Sequence, residues 1–149
     1  MESIDSGPSF DVPQDRHYDG VHHLWAQWDE ASQRVRVGID SMGLQSLGEL
    51  AYVSLHEVGA TVLRGEPIGT LEAAKMTTSI AAPVSGVVTK RNEAVLTDPL
   101  RVNTDPYGGG WLVEIDPTDW EQEASELVSG AGIPGWVATE AERFRSETG

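Results

Sequence analysis

Gly69-Thr-Leu-Glu-Ala-Ala-Lys75-Met-Thr-Thr-Ser-Ile80, followed by Ala81-Ala-Pro83-Val-Ser-Gly86-Val-Val88, is the stretch on which the reading of this chain turns. A strand running through Leu71 meets a second through Ile80, and no Gly, Pro or Asn lies between them. The reversal is therefore expected as a tight turn centred near Ala74 and Lys75, with the lysine at an exposed hairpin tip. Lysine has a long flexible stem and an ε-amine that an enzyme can acylate, and the small neighbours Ala73, Ala74 and Thr77 leave that amine accessible. Such a tip suits a covalently attached group carrier, in which the cofactor brings the chemistry and the protein brings attachment and delivery. Composition alone offers a plainer reading, in which Lys75 is one of ten Lys and Arg residues and is simply solvated.

Around the hairpin, short apolar runs recur between Gly and Pro. They are Leu50 to Leu55, Val58-Gly59, Val62 to Gly65, Ile68 to Ala73, Ile80 to Val84 and Val87 to Lys90. This punctuation predicts a mainly β fold, a compact barrel or sandwich. Upstream, Val35, Val37 and Ile39 alternate with Arg36 and Gly38, and Trp25 to Trp28 is expected to pair with them across a turn at Asp29 to Ser32. Asp40 and Ser41 start a short internal helix that Gly48 ends. Asn92 to Leu96 reads as a helical turn, and Trp111, Val113 and Ile115 as a closing strand that Asp116-Pro117 stops. Thr118 with Glu121 has the form of a capping box, followed by an amphipathic helix carrying Trp120, Ala124, Leu127 and Val128. A last helix is expected from about Trp136 to Arg145, packing Trp136 and Phe144 on the barrel. The domain organisation that follows is an N-terminal arm over 1–20, a carrier domain over 21–116 and a C-terminal helical extension over 117–149.

A formal net charge of −14 opposes approach to a phosphate backbone or an anionic bilayer, so neither nucleic acid nor membrane is expected as a partner. The same charge would speed encounters with enzymes whose active-site mouths are basic, or would serve solubility alone. With no cysteine, disulfides, thiolate metal sites and a cysteine nucleophile are excluded. The first twenty residues carry Glu2, Asp5, Asp11, Asp15 and Asp19 and no apolar run, so a cytoplasmic protein without a targeting peptide is expected.

The order and spacing of many short motifs resemble one family. Val37-Gly-Ile39, Leu47-Gly-Glu49, Tyr52-Val53-Ser-Leu55, Glu57-Val-Gly59, Gly65-Glu66, Gly69, Leu71-Glu72, Lys75, Pro83-Val-Ser-Gly86, Asn92-Glu-Ala94, Pro99, Val102-Asn103 and Gly110-Trp111-Leu112 are similar to the H proteins of the glycine cleavage system, from about Val21 to Asp116. The resemblance implies a lipoyl/biotinyl-type hybrid barrel-sandwich with lipoate in amide linkage to Lys75. It also implies that Glu72, three residues before the lysine, is read by the lipoate ligase or lipoyl transferase. Further implied partners are the glycine cleavage enzymes, for which the carrier would hold an aminomethyl group, and dihydrolipoamide dehydrogenase.

Departures from the pattern shift the expected pathway. The family usually has a Glu four residues after the lysine and an aromatic two residues beyond that, where this chain has Ser79 and Ala81. The runs His17 to Trp25, Asn103 to Trp111 and Asp119-Trp120 resemble instead the lipoate-binding proteins that accompany a heterodisulfide-reductase-like complex in sulfur oxidation. That pathway is preferred here, with glycine cleavage as the alternative. Biotin is a further alternative, since Met76 follows the lysine as in biotin carriers, although Ala74 stands where those domains generally have Met, and so is a binding module in which Lys75 stays unmodified.

No catalytic constellation is evident, and the chain is read as a substrate of enzymes rather than an enzyme. His17, His22, His23 and His56 have no metal-site spacing, and the adjacent His22 and His23 are expected on opposite sides of a strand. Trp25, Trp28, Trp111 and Trp120 are read as core and capping residues.

Overall fold

A computed structural model describes residues 10–148. The first nine residues of the expected arm, and Gly149, lie outside the described residues. The chain opens with β1 (His17–Asp19), β2 (Leu24–Asp29) and β3 (Arg34–Ile39), an antiparallel meander in which Trp25 faces Gly38 and Trp28 faces Val35. Next come α1 (Ser41–Leu47), β4 (Leu50–Leu55), β5 (Thr61–Val62), β6 (Pro67–Ala73), β7 (Thr77–Ala81) and β8 (Gly86–Arg91). The chain ends with α2 (Glu93–Thr97), α3 (Leu100–Thr104), β9 (Val113–Pro117), α4 (Trp120–Ala124), a 3-10 turn at Gly130–Gly132 and α5 (Ile133–Thr148). Two antiparallel sheets result, one in the order β1-β2-β3-β9-β8-β5 and the other β4-β6-β7. Val35, Val37, Val88 and Ile115 of the first meet Val53, Leu71 and Ile80 of the second in one buried cluster. This is the mainly β sandwich expected from the alternating runs.

Strand alternation also explains a second core. Leu24 and Ala26 enter the central cluster, while Trp25 between them points to the other face of the sheet and packs with Tyr18 and Ile133. The C-terminal segment covers that face. α5 begins at Ile133, earlier than Trp136, because Pro134 in the first turn removes only an amide that has no partner there anyway. Trp136 packs on Tyr18 with ring centroids 5.3 Å apart, and Phe144 packs on Phe10 at 5.7 Å.

Several boundaries differ from the sequence reading. Asp119, not Thr118, caps α4, accepting the Gln122 amide at 3.4 Å. The helix stops at Ala124, leaving Leu127 and Val128 outside it, because Val128 exchanges two main-chain hydrogen bonds of 2.8 Å with Tyr18. β1, which makes that bridge, lies within the stretch read as an arm. Val58-Gly59 forms a turn instead of a strand, and Trp111 precedes β9, with the Arg36 guanidinium 4.4 Å over its ring. The second hairpin strand begins at Thr77 and ends at Ala81, before Pro83, and α3 follows Pro99 with no counterpart in the sequence reading.

Candidate functional site

β6 and β7 pair from Pro67↔Ala81 to Glu72↔Thr77, and Ala73 donates its N–H to the Met76 carbonyl at 2.9 Å. Ala74, Lys75 and Met76 therefore form the turn. A reversal made of such residues has little intrinsic preference to turn, and its support comes from outside the hairpin. The Ala74 N–H donates to the Glu49 carbonyl at 2.9 Å, and the Lys75 N–H donates to the Leu47 carbonyl at 3.0 Å. Leu47 is the last residue of α1 and Glu49 lies in its connection to β4.

Gly48 makes that connection. With φ at 79° it closes α1, donating to the Leu44 carbonyl at 2.8 Å, and a Cβ there would lie 3.2 Å from the Ala74 Cβ. Asn103, on α3, braces it from behind. Its Nδ2 donates to the Gly48 carbonyl at 3.0 Å and its Oδ1 accepts the Leu50 N–H at 2.9 Å. The path from Asn103 through Gly48 to the amides of Ala74 and Lys75 makes the tip a fixed platform.

On this platform Lys75 is exposed, and its Nζ donates to the Gln45 carbonyl at 3.0 Å. Glu72 is exposed at the end of β6, beside Tyr52 of β4 and Thr77 of β7 in the register. Tyr52 is itself half exposed. A groove of about 200 Å³ runs beside the turn, walled by Leu24, Ile39, Leu47, Leu71 and Ile80 and bordered by Met76, Ser79 and Ala81. Leu47 and Met76 thus belong both to the support of the lysine turn and to the groove.

His22 and His23 do not sit on a strand. They occupy the β1–β2 turn, because Asp19 accepts the N–H groups of Val21 and His22, each at 2.9 Å, and bends the chain there. His23 is buried between Asp40 and Glu140, with Nδ1 3.2 Å and Nε2 2.8 Å from their carboxylates. Burial opposes a charge on this ring, but Asp40, and then Glu140, outweigh it and hold the imidazole above the ordinary histidine range. His17 instead sets its ring edge against Trp120, and burial lowers its basicity. The sequence reading brought Lys75 and Glu72 forward but missed Gln45, Asn103 and the His23 cluster. Asn103 lies in a motif of the resemblance, yet its two partners are 53 and 55 residues away.

An exposed primary amine on a braced turn, with small residues before it and an apolar groove beginning at the residue after it, fits a hydrocarbon acyl group attached through an amide. Residues 16–139 match the family model described as Glycine cleavage H-protein. The chain is 40% identical over 130 residues to the Glycine cleavage system H protein of a Synechococcus species, covering 87% of this chain and 98% of that one. It is 40% identical over 111 residues to that of Myxococcus xanthus, covering 74% and 84%. The crystal structure of a glycine cleavage system H protein from Mycobacterium marinum superimposes with a TM-score of 0.67 at 37% identity, covering 77% of this chain and 98% of that chain. Among the described residues no helix is long and apolar enough to cross a membrane.

Proposed function

The chain belongs to the glycine cleavage H-protein family, and from that premise we propose that it carries lipoate in amide linkage to Lys75 and serves glycine cleavage. Members of this family are non-catalytic carriers that act as substrates of partner enzymes. Bound at Lys75, lipoate would supply a dithiolane that accepts electrons and a carried group.

The observation that supports the reading most directly is the braced turn, because it gives an exposed amine a defined origin. A flexible lysine stem on a rigid origin samples a small volume, which raises the effective concentration of its end at any docked active site. Leu47, Leu71, Ile80 and Met76 offer apolar cover for the hydrocarbon part of the arm when it folds back. Glu72, one strand end away from the turn, is available to the ligase or transferase that modifies the lysine. The net charge of −14 favours partners with basic docking rims, and the proposed partners are the glycine cleavage enzymes and dihydrolipoamide dehydrogenase. The cytoplasmic location expected from the sequence belongs to the same proposal.

Sulfur oxidation, preferred from the sequence, is the weaker pathway. The relatives reported above are named for glycine cleavage, and Ser79 and Ala81, the departures that put its enzymes in doubt as partners, both line the groove rather than the lysine turn. The test of the carrier reading is intact mass with peptide mapping after incubation with ATP, lipoate and a lipoate ligase. Addition of a lipoyl group at Lys75 is expected, and no addition, or a biotin adduct under biotinylating conditions, would overturn it. Glycine-dependent release of carbon dioxide with glycine cleavage partners then separates the two pathways.

A further inference from the structure

His23 has φ at 64°, a left-handed conformation that a residue other than glycine keeps only where its surroundings hold it. Its N–H donates to the Asp19 carbonyl at 2.9 Å and its carbonyl accepts the Asp40 N–H at 3.0 Å. The residue is 7% exposed, and each ring nitrogen meets a carboxylate, Asp40 Oδ2 at 3.2 Å and Glu140 Oε1 at 2.8 Å. A neutral imidazole has one N–H and can donate to only one of them, whereas an imidazolium donates to both.

The two carboxylates come from segments far apart in the chain. Asp40 is fully buried and also caps α1, its Oδ1 accepting the Gly43 N–H at 2.8 Å. Glu140 lies on α5 and bonds Arg143 on the same helix at 2.7 Å. Trp136 stacks on the His23 ring at 5.6 Å and 23°, and Phe144 lies at 6.4 Å. From β1 and the turn after it the neighbouring titratable groups are Asp19 and the His22 it binds at 3.0 Å. Glu140, Arg143 and Phe144 fall beyond residues 16–139, so this contact joins the family-matched stretch to chain outside it. On its other side His23 lines the groove shared with Leu47 and Met76.

We propose that His23 is a positioning residue of the carrier site, a proton-operated clasp that ties α5 to the groove beside Lys75 and, on losing its proton, loosens the helix and that wall. The link to the carried group rests on the carrier reading above, whereas the clasp itself does not. The two carboxylates hold the ring above the ordinary value of 6.5, so the clasp's contribution is complete below that value and is lost as pH rises through the raised one.

The experiment is amide hydrogen exchange on the full, unmodified chain from about pH 6 to about pH 9, corrected for intrinsic rates, together with the His23 ring titration by NMR. Protection of the α5 amides is expected to fall by about tenfold or more through the ring's own midpoint, while β3 and β9 keep theirs. The Ile39 and Ile80 methyl signals should shift with the same midpoint. His23→Gln should leave α5 weakly protected at every pH. Glu140→Gln, which keeps the size of the side chain and removes its charge, should lower the ring's midpoint and shrink the pH-dependent step even if the His23 variant does not fold. Unchanged α5 protection through the titration, or an undiminished step in either folded variant, overturns the clasp. An α5 step with motionless Ile39 and Ile80 overturns its link to the groove. Because no lipoate is used, failure of the carrier reading would leave these results untouched.

Discussion

The Lys75 ammonium and the Gln45 carbonyl, thirty residues apart, are joined by a hydrogen bond of 3.0 Å. Gln45 lies in the last turn of α1, where carbonyls lack intrahelical partners and carry partial negative charge. The amine thus rests on the same helix end whose Leu47 carbonyl braces its backbone. Acylation as proposed would convert the ammonium to a neutral amide, removing the charge from this contact and leaving the backbone braces in place.

Replacing Lys75 with Arg should leave the fold intact. An exposed side chain contributes little packing, and the denaturant midpoint should correspond to a change within about 0.5 kcal/mol. The guanidinium is not a substrate for amide formation by a lipoate ligase, so intact mass should show no lipoyl addition and carrier activity should vanish. Full activity in this variant would end the swinging-arm account.

Glu72→Gln keeps the shape of the β6 end and removes one exposed charge. Lipoylation kcat/KM is expected to fall by about tenfold, with a weaker dependence on salt, while the thermal melt stays where it was. Equal rates for the two proteins would show that the ligase does not read this carboxylate.

Gly48→Ala tests the platform. A residue with a Cβ at φ of 79° costs about 1–2 kcal/mol, and the added methyl also presses on Ala74 at 3.2 Å. Equilibrium unfolding should report that loss, and lipoylation should slow even at temperatures where the protein is folded.

Asn103→Ala leaves the Leu50 N–H and the Gly48 carbonyl without their side-chain partners. A loss of about 1–3 kcal/mol is expected. Hydrogen exchange should localise it to the α1–β4 connection and the Lys75 turn, sparing the β2–β3 meander.

Acid should weaken the β1–β2 turn. Burial opposes ionisation of Asp19, but the amides of His22 and Val21 and the His22 ring outweigh it and hold the carboxyl below its ordinary value of 3.8. The stabilisation is present above that value and lost as pH falls through the lowered one. Denaturant midpoints measured on the two sides of pH 4 should differ less in Asp19→Asn than in the parent.

What local patterns decide was legible from the residues. The period of two in Val35, Val37 and Ile39 predicts β3, Asp40 and Gly48 bracket α1, and the run from Leu71 to Ile80 predicts the hairpin with Lys75 at its turn, since each rests on neighbours in the chain. α4 shows where such reading fails. Its apolar spacing continues through Val128, but the Tyr18 backbone, 110 residues earlier, takes up both main-chain groups of Val128.

The amino-acid sequence by itself therefore determined the β-sandwich class, the hairpin and the lysine at its tip, because alternation, capping and turn composition act over a few residues. Only the tertiary structure decided what holds that lysine in place and what adjoins it. The Asn103 brace, the Gln45 contact and the His23 clasp each unite groups between 17 and 117 residues apart, and hydrogen-bond geometry across such separations exists only once the sheets and helices have packed.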